Sequence, residues 1–450
     1  MIWRIVAREF LDSLISLRFI ISTVLCIFLI TSVVYVSTDD YVDRLKDHDS
    51  AVAAHKEDRM REYSPKLFRK PQPLGVFSEG MDKRVGKVVE IRSWDSPFVA
   101  SEYGWYGREA EYMASFASID VAFVIRFILS LLAVFLTYDA IAGERESGLI
   151  KLVLSNPVSR SSFLVGKLLG RLLCVLIPLV LGAIIALLFF LANPSLHLSS
   201  VDWARIGIFF GVALIYVSLF LCLGLAVSAA VRSSASSLII LLTVWIMAVA
   251  VHPVLSVLTA EKAYSIDDPT TMGRKIYRID QQYQERWNEL LAKIREQDRK
   301  GSNRREYTAQ FNTLNMEKAQ MKDKISQEFL NAFTGQANLA KNLSRLSPAG
   351  SFSYAASAVV NTDISSYDSF MEISRQFWHR YVEHRKKWET VLREDPGKAR
   401  EMKFPEAPEI QYSLADSIQR AAPDIAILIL FTGLSFVASY ALFVRRDLSM

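Results

Sequence analysis

Charged side chains crowd the stretch between residues 139 and 160 in a spacing that favours polar contacts with a partner. Asp139 ends a long apolar run, and Glu144, Arg145 and Glu146 follow it closely. Adjacent charges of both signs are costly in lipid, so we expect this stretch at a membrane surface. Carboxylate and guanidinium groups form strong charge-assisted hydrogen bonds, and the chemistry they predict is therefore binding.

An apolar rhythm continues through the same stretch. Leu149, Leu152, Val153 and Leu154 recur at a spacing that fits one face of a short helix lying on a membrane. Pro157 ends that helix because proline lacks the backbone donor that a helix needs. A connection between two membrane helices needs only a turn, so the pattern predicts a docking element.

Six apolar runs must position this element. Of the 450 residues 51% are apolar, and the charges lie mainly in two long polar blocks, which excludes an ordinary soluble protein. A membrane-crossing helix takes about 20 residues. The predicted spans are residues 15–37, 121–142, 163–192, 204–231, 236–258 and 423–444. The net charge of +5 fits cations that flank the spans, so no nucleic-acid partner is expected.

Cations in the short polar segments predict the orientation of the spans. Lys and Arg accumulate on the cytosolic side of membrane proteins. With six spans, the cations of the amino end, the 143–162 segment and the 445–450 tail all fall on one side, which is therefore predicted to be cytosolic. The polar blocks 38–120 and 259–422 then face outward.

Residues 1–14 form a separate predicted element. Apolar and charged side chains alternate there at helical spacing, as expected of an amphipathic helix that lies in the membrane interface with a tryptophan anchor. The apolar set is Ile2, Trp3, Ile5, Val6, Phe10 and Leu14, and the polar set is Arg4, Arg8, Glu9 and Asp12. The alternative is a plain cytosolic extension of the first span.

The two outward blocks are predicted to pack together as one mainly helical domain with a little β-structure. Apolar residues at steps of three and four predict an antiparallel hairpin over residues 274–334, interrupted near Gly301. A third helix is predicted to end at Pro396. The first block begins as an extension of the first span, and the alternation over residues 85–91 predicts a short strand. The predicted fold class is an all-α polytopic membrane protein.

Catalytic and cofactor-binding chemistry is not predicted for this chain. A phosphate-binding loop requires Ser or Thr after its Gly-Lys pair. The pairs at Gly86, Gly166 and Gly397 lack that residue, so ATP would have to be bound by another protein. The cysteines and histidines have no metal-ligand spacing. Arg126 and Arg205 are expected near the outer span ends, where they can extend to the headgroups.

Glycine pairs predict close contacts between helices. Gly166 and Gly170 in the third span, and Gly207 and Gly211 in the fourth, form two G-x-x-x-G steps. Small residues at this spacing let helix backbones approach closely in membranes. The alternative is that glycine is simply tolerated in a membrane helix.

The sequence over residues 139–167 resembles the cytosolic coupling segment of type-2 ABC transporter permeases. The matching pattern is an acidic residue at the span end, a Glu-Arg-Glu-x-Gly turn, a Leu-Ser-x-Pro-Val-x-Arg stop and a Gly-Lys pair that opens the next span. The ATPase-coupling residues implied by this resemblance are Asp139, Glu144, Arg145, Glu146, Gly148, Leu152, Pro157 and Arg160. Gly148 would allow a close backbone approach, and Lys167 and Arg171 would hold lipid phosphates or helix ends.

The same resemblance implies partners and a location. A separate ABC ATPase dimer would bind ATP and Mg²⁺, while this chain binds no cofactor. The permease itself would be a dimer, formed with an identical copy or a sister subunit, in contact with membrane lipid. The membrane would be the inner membrane of a bacterium, with both chain ends cytosolic and the large domain periplasmic.

Three functions remain open at this stage. An exporter would need polar residues on its span faces, for which Ser218, Ser228 and Thr243 are candidates. A mechanotransducing subunit would act on a periplasmic partner without moving cargo. A receptor or scaffold would work without an ATPase. The block 259–422 is larger than the outer loops of most type-2 permeases, and this departure weakens the case for simple export.

Overall fold

The computed structural model describes most of the chain. The described residues are 2–57, 64–83, 87–91, 119–150, 159–194, 196, 198–264, 266, 269–298, 304–408 and 412–445. The first helices are α1 (Ile2–Ile15), α2 (Leu17–Glu57), α3 (Val121–Val124), α4 (Ser130–Thr137), α5 (Ala142–Glu146), α6 (Arg160–Ala192), α7 (Ser200–Ala230), α8 (Ser234–Trp245) and α9 (His252–Ala263). The later helices are α10 (Pro269–Asp298), α11 (Arg304–Ser344), α12 (Pro348–Val359), α13 (Ile364–Glu394), α14 (Pro396–Glu401) and α15 (Leu414–Arg445).

Six of the described helical segments are long and apolar enough to cross a membrane. These spans, numbered one to six, are Leu17–Glu57, Val121–Glu146, Arg160–Ala192, Ser200–Ala230, Ser234–Ala263 and Leu414–Val444. Two spans contain a π-helical turn, at Ile125–Leu129 between α3 and α4 and at Ile246–Val251 between α8 and α9. The predicted fold class, mainly helical with six spans and a little β-structure, is confirmed.

A polar domain is attached to one end of the bundle and consists of α10, α11, α13, α14 and a two-stranded sheet. Strands β1 (Lys66–Phe68) and β2 (Val88–Glu90) pair antiparallel, and the buried Leu67 and Val89 lie opposite each other. Alternation in the sequence predicts β2, but it gives no indication of β1. Across the hairpin of α10 and α11, the Trp287 ring packs edge-on against Phe311 with centroids 5.2 Å apart.

Aromatic side chains close the bundle where the polar domain attaches. Phe77 stacks on Phe190 with centroids 5.6 Å apart and contacts Phe209 at 5.5 Å. Phe352 of α12 stacks on Tyr216 of α7 at 4.6 Å. Each of these side chains is at most 1% exposed. Helix α12 therefore belongs to the bundle core, although its sequence lies inside a long polar block.

Two arginines near the same end point inward. Arg126 is 4% exposed and donates from Nη1 to Ser353 Oγ at 2.9 Å, and Arg205 is 6% exposed and donates from Nη2 to the Tyr412 carbonyl at 2.7 Å. The prediction that both extend to lipid headgroups is wrong. Each guanidinium group thus donates to a polar acceptor inside the protein instead of extending toward the headgroups.

An ion pair also ties the polar domain to the sixth span. Arg345, directly after α11, donates to both carboxylate oxygens of Asp424, from Nε at 2.6 Å and from Nη2 at 3.1 Å. The Asp424 side chain is fully buried, and Lys341 Nζ lies 3.8 Å from it. This bidentate geometry fixes the domain to the span with directional as well as electrostatic interactions.

Candidate functional site

The site predicted from the charge pattern lies at the opposite end of the bundle from the polar domain. Helix α5 continues the second span, and the chain leaves it through Gly148, whose φ of +74° is a left-handed conformation that favours glycine. Residues 146–149 are exposed, whereas Ile150 is buried at 2% exposure. We call residues 146–149 the exposed tip.

Two sets of hydrogen bonds fix α5 to the end of the fourth span. The backbone N–H groups of Ile141 and Ala142 both donate to Ser228 Oγ at 3.0 Å. Arg145 Nη1 donates to the Val231 carbonyl at 2.8 Å, and thereby satisfies an acceptor beyond the end of α7. Arg145 is thus used within the chain, and its position holds α5 rather than presenting a charge to a partner.

Weaker polar contacts surround the exposed tip. Glu146 Oε2 accepts a hydrogen bond from Ser234 Oγ at 2.7 Å, in an exposed position at the start of the fifth span. Asp139 Oδ2 lies 3.1 Å from Arg18 Nη1, and the Arg18 guanidinium also lies 5.1 Å from the centre of the Tyr138 ring. Both pairs are solvent-exposed, so each contributes little to stability and leaves its carboxylate accessible.

A buried ionic cluster lies behind the tip. Lys167 Nζ is 2.6 Å from Glu9 Oε1 and 2.7 Å from Glu144 Oε1, and Arg171 Nη2 is 3.3 Å from Glu9 Oε2. The Lys167 side chain is 1% exposed. We call these four residues the Lys167 cluster. It joins α1, the second span and the third span, since each contributes at least one charge.

Glycines bring α1 close enough to form the cluster. A Cβ at Gly166 would lie 2.7 Å from Ile5 Cγ2, and a Cβ at Gly170 would lie 2.7 Å from Glu9 Cβ and 3.0 Å from the Val6 carbonyl oxygen. The third span therefore packs its glycine face against α1. By contrast, a Cβ at Gly207 or Gly211 would meet no described atom within 4 Å. A role for that second pair in helix packing stays a prediction for contacts with another molecule.

Of the remaining predicted residues, Arg160 makes a lateral contact between spans, and Leu152 and Pro157 lie outside the residues that the structure describes. Arg160 Nη1 donates to the Val444 carbonyl at 2.8 Å, which connects the start of the third span to the end of the sixth. Phe163 and Phe443 stack beside it with centroids 5.5 Å apart. Leu152 and Pro157 lie outside the described residues, as does most of the predicted surface helix.

Lys167 and Arg171 were expected to hold lipid phosphates or helix ends, and this expectation is wrong. Both side chains are buried, with 1% and 7% exposure, and both face carboxylates. The signal in the sequence is the presence of two cations inside an apolar run, because buried charges require partners. Which carboxylates pair with them depends on how the helices pack, and the sequence does not show it.

The arrangement is suited to binding and to transmitting movement. Within the described residues, the tip brings together an exposed carboxylate, a left-handed glycine and the exposed Leu149, supported by the buried Lys167 cluster. A surface element of this kind can fit into a cleft of a partner, and its rigid attachment to three spans would carry displacement into the bundle.

Six spans and an amphipathic first helix define a polytopic membrane protein, in which the exposed tip is fixed to the bundle. A model of the family described as "ABC-2 family transporter protein" matches residues 3–448. The chain belongs to this family.

Two curated proteins are similar to part of the chain. Over 138 residues it is 30% identical to "Probable ABC transporter permease protein NosY" of Pseudomonas aeruginosa, and over 153 residues it is 31% identical to the protein of the same name from Stutzerimonas stutzeri. The matches cover 30% and 33% of this chain, and 50% and 55% of the relatives. The chain thus spans about half the length of the curated relatives it matches.

Proposed function

We propose that this chain is the membrane permease subunit of an ATP-driven ABC transporter, and that a separate ABC ATPase docks on the exposed tip, residues 146–149. The observation that carries the proposal is the combination of an exposed tip with a rigid base. Glu146 and Leu149 are exposed, while Glu144 and Arg145 immediately before them are held by buried or backbone partners. Family membership supports the same assignment.

The proposed topology follows from the positions of the cations. The tip, α1 and the end of the sixth span lie at one end of the bundle, which we assign to the cytosol of a bacterium because its short segments carry the Lys and Arg. The polar domain at the other end is then periplasmic, and the membrane is the inner membrane. The described residues include both sides of this proposed topology, with Glu146 at the cytosolic end and Asp424 near the periplasmic end.

The proposed mechanism is a displacement that begins at the ATPase. Closure of the ATPase dimer on ATP would grip the exposed tip, together with the predicted surface helix that follows it to residue 156. The same closure would move both segments. Ser228 and Arg145 join α5 to the fourth span, and Lys167 joins it to the third. Three spans would therefore shift together. Hydrogen-bonded and ion-paired joints of this kind have discrete arrangements, which suits a two-state cycle.

Export along a dimer interface is the first form of this proposal. The polar candidates for a cargo path use their hydroxyl groups internally: Ser218 and Thr243 donate to carbonyls four residues earlier, and Ser228 accepts from α5. All three hydroxyl groups are thus already used in hydrogen bonds within the chain. A path between two copies, with a sister or identical subunit, would have to be formed by other residues.

Mechanical work on a periplasmic partner is a second candidate, which one observation favours. The pair of Arg345 with the buried Asp424 attaches the polar domain to the sixth span, and the bond from Arg126 to Ser353 ties the second span to α12, the core helix that connects α11 to α13. A domain that only covered the bundle would not need such buried polar attachments. Movement of the second and sixth spans would then reach the polar domain directly.

Purification with the ATPase encoded alongside this chain tests the proposal. We expect the wild-type chain to co-purify with that ATPase and to raise its ATP turnover. The double variant Glu146→Arg, Gly148→Trp should abolish both, because it reverses the tip charge and places a large side chain at a left-handed position. The matched double variant Glu383→Arg, Gly397→Trp changes the same residue types in the polar domain and should behave as wild type. Equal loss in both variants, or in neither, would refute docking at the tip.

A further inference from the structure

Helix α1 has a packed face and an exposed face. The packed face contacts the third span through Ile5, Val6 and Glu9. On the exposed face, Arg4, Arg8, Leu11 and Ile15 recur at steps of three and four and therefore lie in one line along the helix, with Leu11 52% and Ile15 74% exposed. We call this line of residues the arginine face.

Exposed apolar side chains are also present at the start of the first span, where Leu17 is 70% exposed, Ile21 57% and Val24 62%. Since α2 crosses the membrane by length and composition, the material that covers these side chains is lipid, and α1 lies at its edge.

The arginine face has the charge and position to bind anionic headgroups. Arg4 and Arg8 are one helical turn apart and therefore share a side of α1. Among the described residues, Arg8 forms an ion pair with Asp12 at 3.6 Å, and both side chains are about two-thirds exposed, so this pair leaves the guanidinium accessible. Guanidinium groups at the depth of the membrane surface are attracted to anionic lipid.

The packed face connects that surface to the proposed docking site. Glu9 on α1 contacts Lys167, and Lys167 contacts Glu144 two residues before the exposed tip. A change in the position of α1 therefore changes the surroundings of the cation that holds α5. At Gly170, α1 and the third span are in close contact, so a movement of α1 would be transmitted to that span.

We propose that α1 is a sensor of anionic lipid: phospholipid headgroups bound by Arg4 and Arg8 hold α1 against the third span and, through Glu9 and Lys167, set the position of the exposed tip. The inference rests on the proposed function for its effect on ATP turnover. The lipid contact itself does not depend on it. The occupant is the bilayer, because the exposed Leu11 and Ile15 lie in line with the arginines and the chain passes from α1 directly into a membrane span.

Two readouts separate the lipid contact from its consequence. Native mass spectrometry of the detergent-solubilised chain measures retained phosphatidylglycerol against phosphatidylcholine. ATP turnover of the complete complex is measured in phosphatidylcholine vesicles with stepwise addition of phosphatidylglycerol. Each arginine near an anionic surface contributes a factor of about five in lipid binding, so Arg4→Gln with Arg8→Gln should lower retention by up to about 25-fold.

The expected pattern uses a charge-matched control. Wild type and the Lys293→Gln, Arg295→Gln double variant of the polar domain should retain phosphatidylglycerol and show turnover that rises with its fraction. The arginine variant should lose both responses. Glu9→Gln should retain the lipid but lose the turnover response, because the connection to Lys167 is weakened.

Three results would overturn the proposal. Equal retention of phosphatidylglycerol by wild type and the arginine variant would show that α1 does not bind it. Turnover that ignores the lipid fraction in a complex that forms and hydrolyses ATP would remove the sensor while leaving the proposed function intact. Loss of ATPase co-purification in the arginine variant, in every lipid, would show that the arginine face binds the ATPase instead.

Discussion

Substitution of Lys167 by methionine tests whether the Lys167 cluster holds the docking element. Methionine keeps most of the apolar length of lysine and removes its charge, so little cavity is created. Glu9 and Glu144, 12% and 21% exposed, would lose the ammonium group that lies 2.6 and 2.7 Å from them. Removal of one partner from a buried pair costs about 3–5 kcal/mol. Because Arg171 still pairs with Glu9, we expect about 3 kcal/mol, the lower end.

A double-mutant cycle separates this interaction from a general packing defect. Glu144→Gln in the Lys167→Met background removes the carboxylate that lacks a cation, so it should restore about 1–2 kcal/mol. The assay is reversible unfolding in mixed micelles, titrated with sodium dodecyl sulfate. The control is Lys387→Met, since Lys387 lies at the same 2.7 Å from Glu383 but both side chains are more than two-thirds exposed. That exposed pair should change stability by less than about 0.5 kcal/mol.

Either of two results would show that the Lys167 cluster does not hold this segment. Lys167→Met could destabilise the chain no more than Lys387→Met does. Alternatively, the two substitutions at positions 167 and 144 could add to within about 0.5 kcal/mol, which would mean that the residues do not interact.

Three further outcomes follow from the structure. Burial raises the pKa of Asp368 to about 6, above its unfolded value, so the folded state loses stability as pH rises from about 4 through 6. The substitution Asp368→Asn should therefore stabilise the chain by about 1–2 kcal/mol at pH 8 and have no effect near pH 4, as measured by unfolding at each pH. Arg345→Ala should cost about 3–5 kcal/mol by leaving the buried Asp424 carboxylate without its bidentate partner, and a second change to Asp424→Ala should recover part of that loss in the same unfolding assay. Gly170→Leu should destabilise the chain by about 1–3 kcal/mol because the new Cβ would meet the backbone of α1, whereas Gly207→Leu should leave the stability of the single chain unchanged. Loss of a purified dimer on Gly207→Leu, measured by light scattering, would place the Gly207 face at a subunit interface.

Periodicity and length predicted the helices because these properties depend on local sequence. The six spans needed only runs of about 20 apolar residues, and the hairpin needed only apolar residues at steps of three and four. Strand β1 was not predicted because three residues give too little alternation. Helix α12 was not placed in the bundle because its packing depends on Tyr216, which is distant in sequence.

The site was predicted in part, for a related reason. Composition and spacing singled out the stretch that contains the exposed Glu146 and the left-handed Gly148, because both residues belong to one continuous segment. The separate roles of its charged residues could not be predicted from the sequence, because Arg145 is held by carbonyls at the end of the fourth span and Glu144 by Lys167 of the third. Long-range pairs of this kind depend on the relative positions of helices, which no local pattern records.

Site-specific photo-crosslinking tests the central claim most directly. A photoreactive amino acid is placed at Leu149 in the exposed tip, or at Leu346 as a control, in the complete complex. Leu149 is 44% exposed, and Leu346, beside the polar domain, is 70% exposed, so both positions can react. We expect a crosslink to the ATPase from position 149 and none from position 346. A crosslink from 346 alone, or none from 149 in a complex that hydrolyses ATP, would contradict docking of the ATPase on this segment.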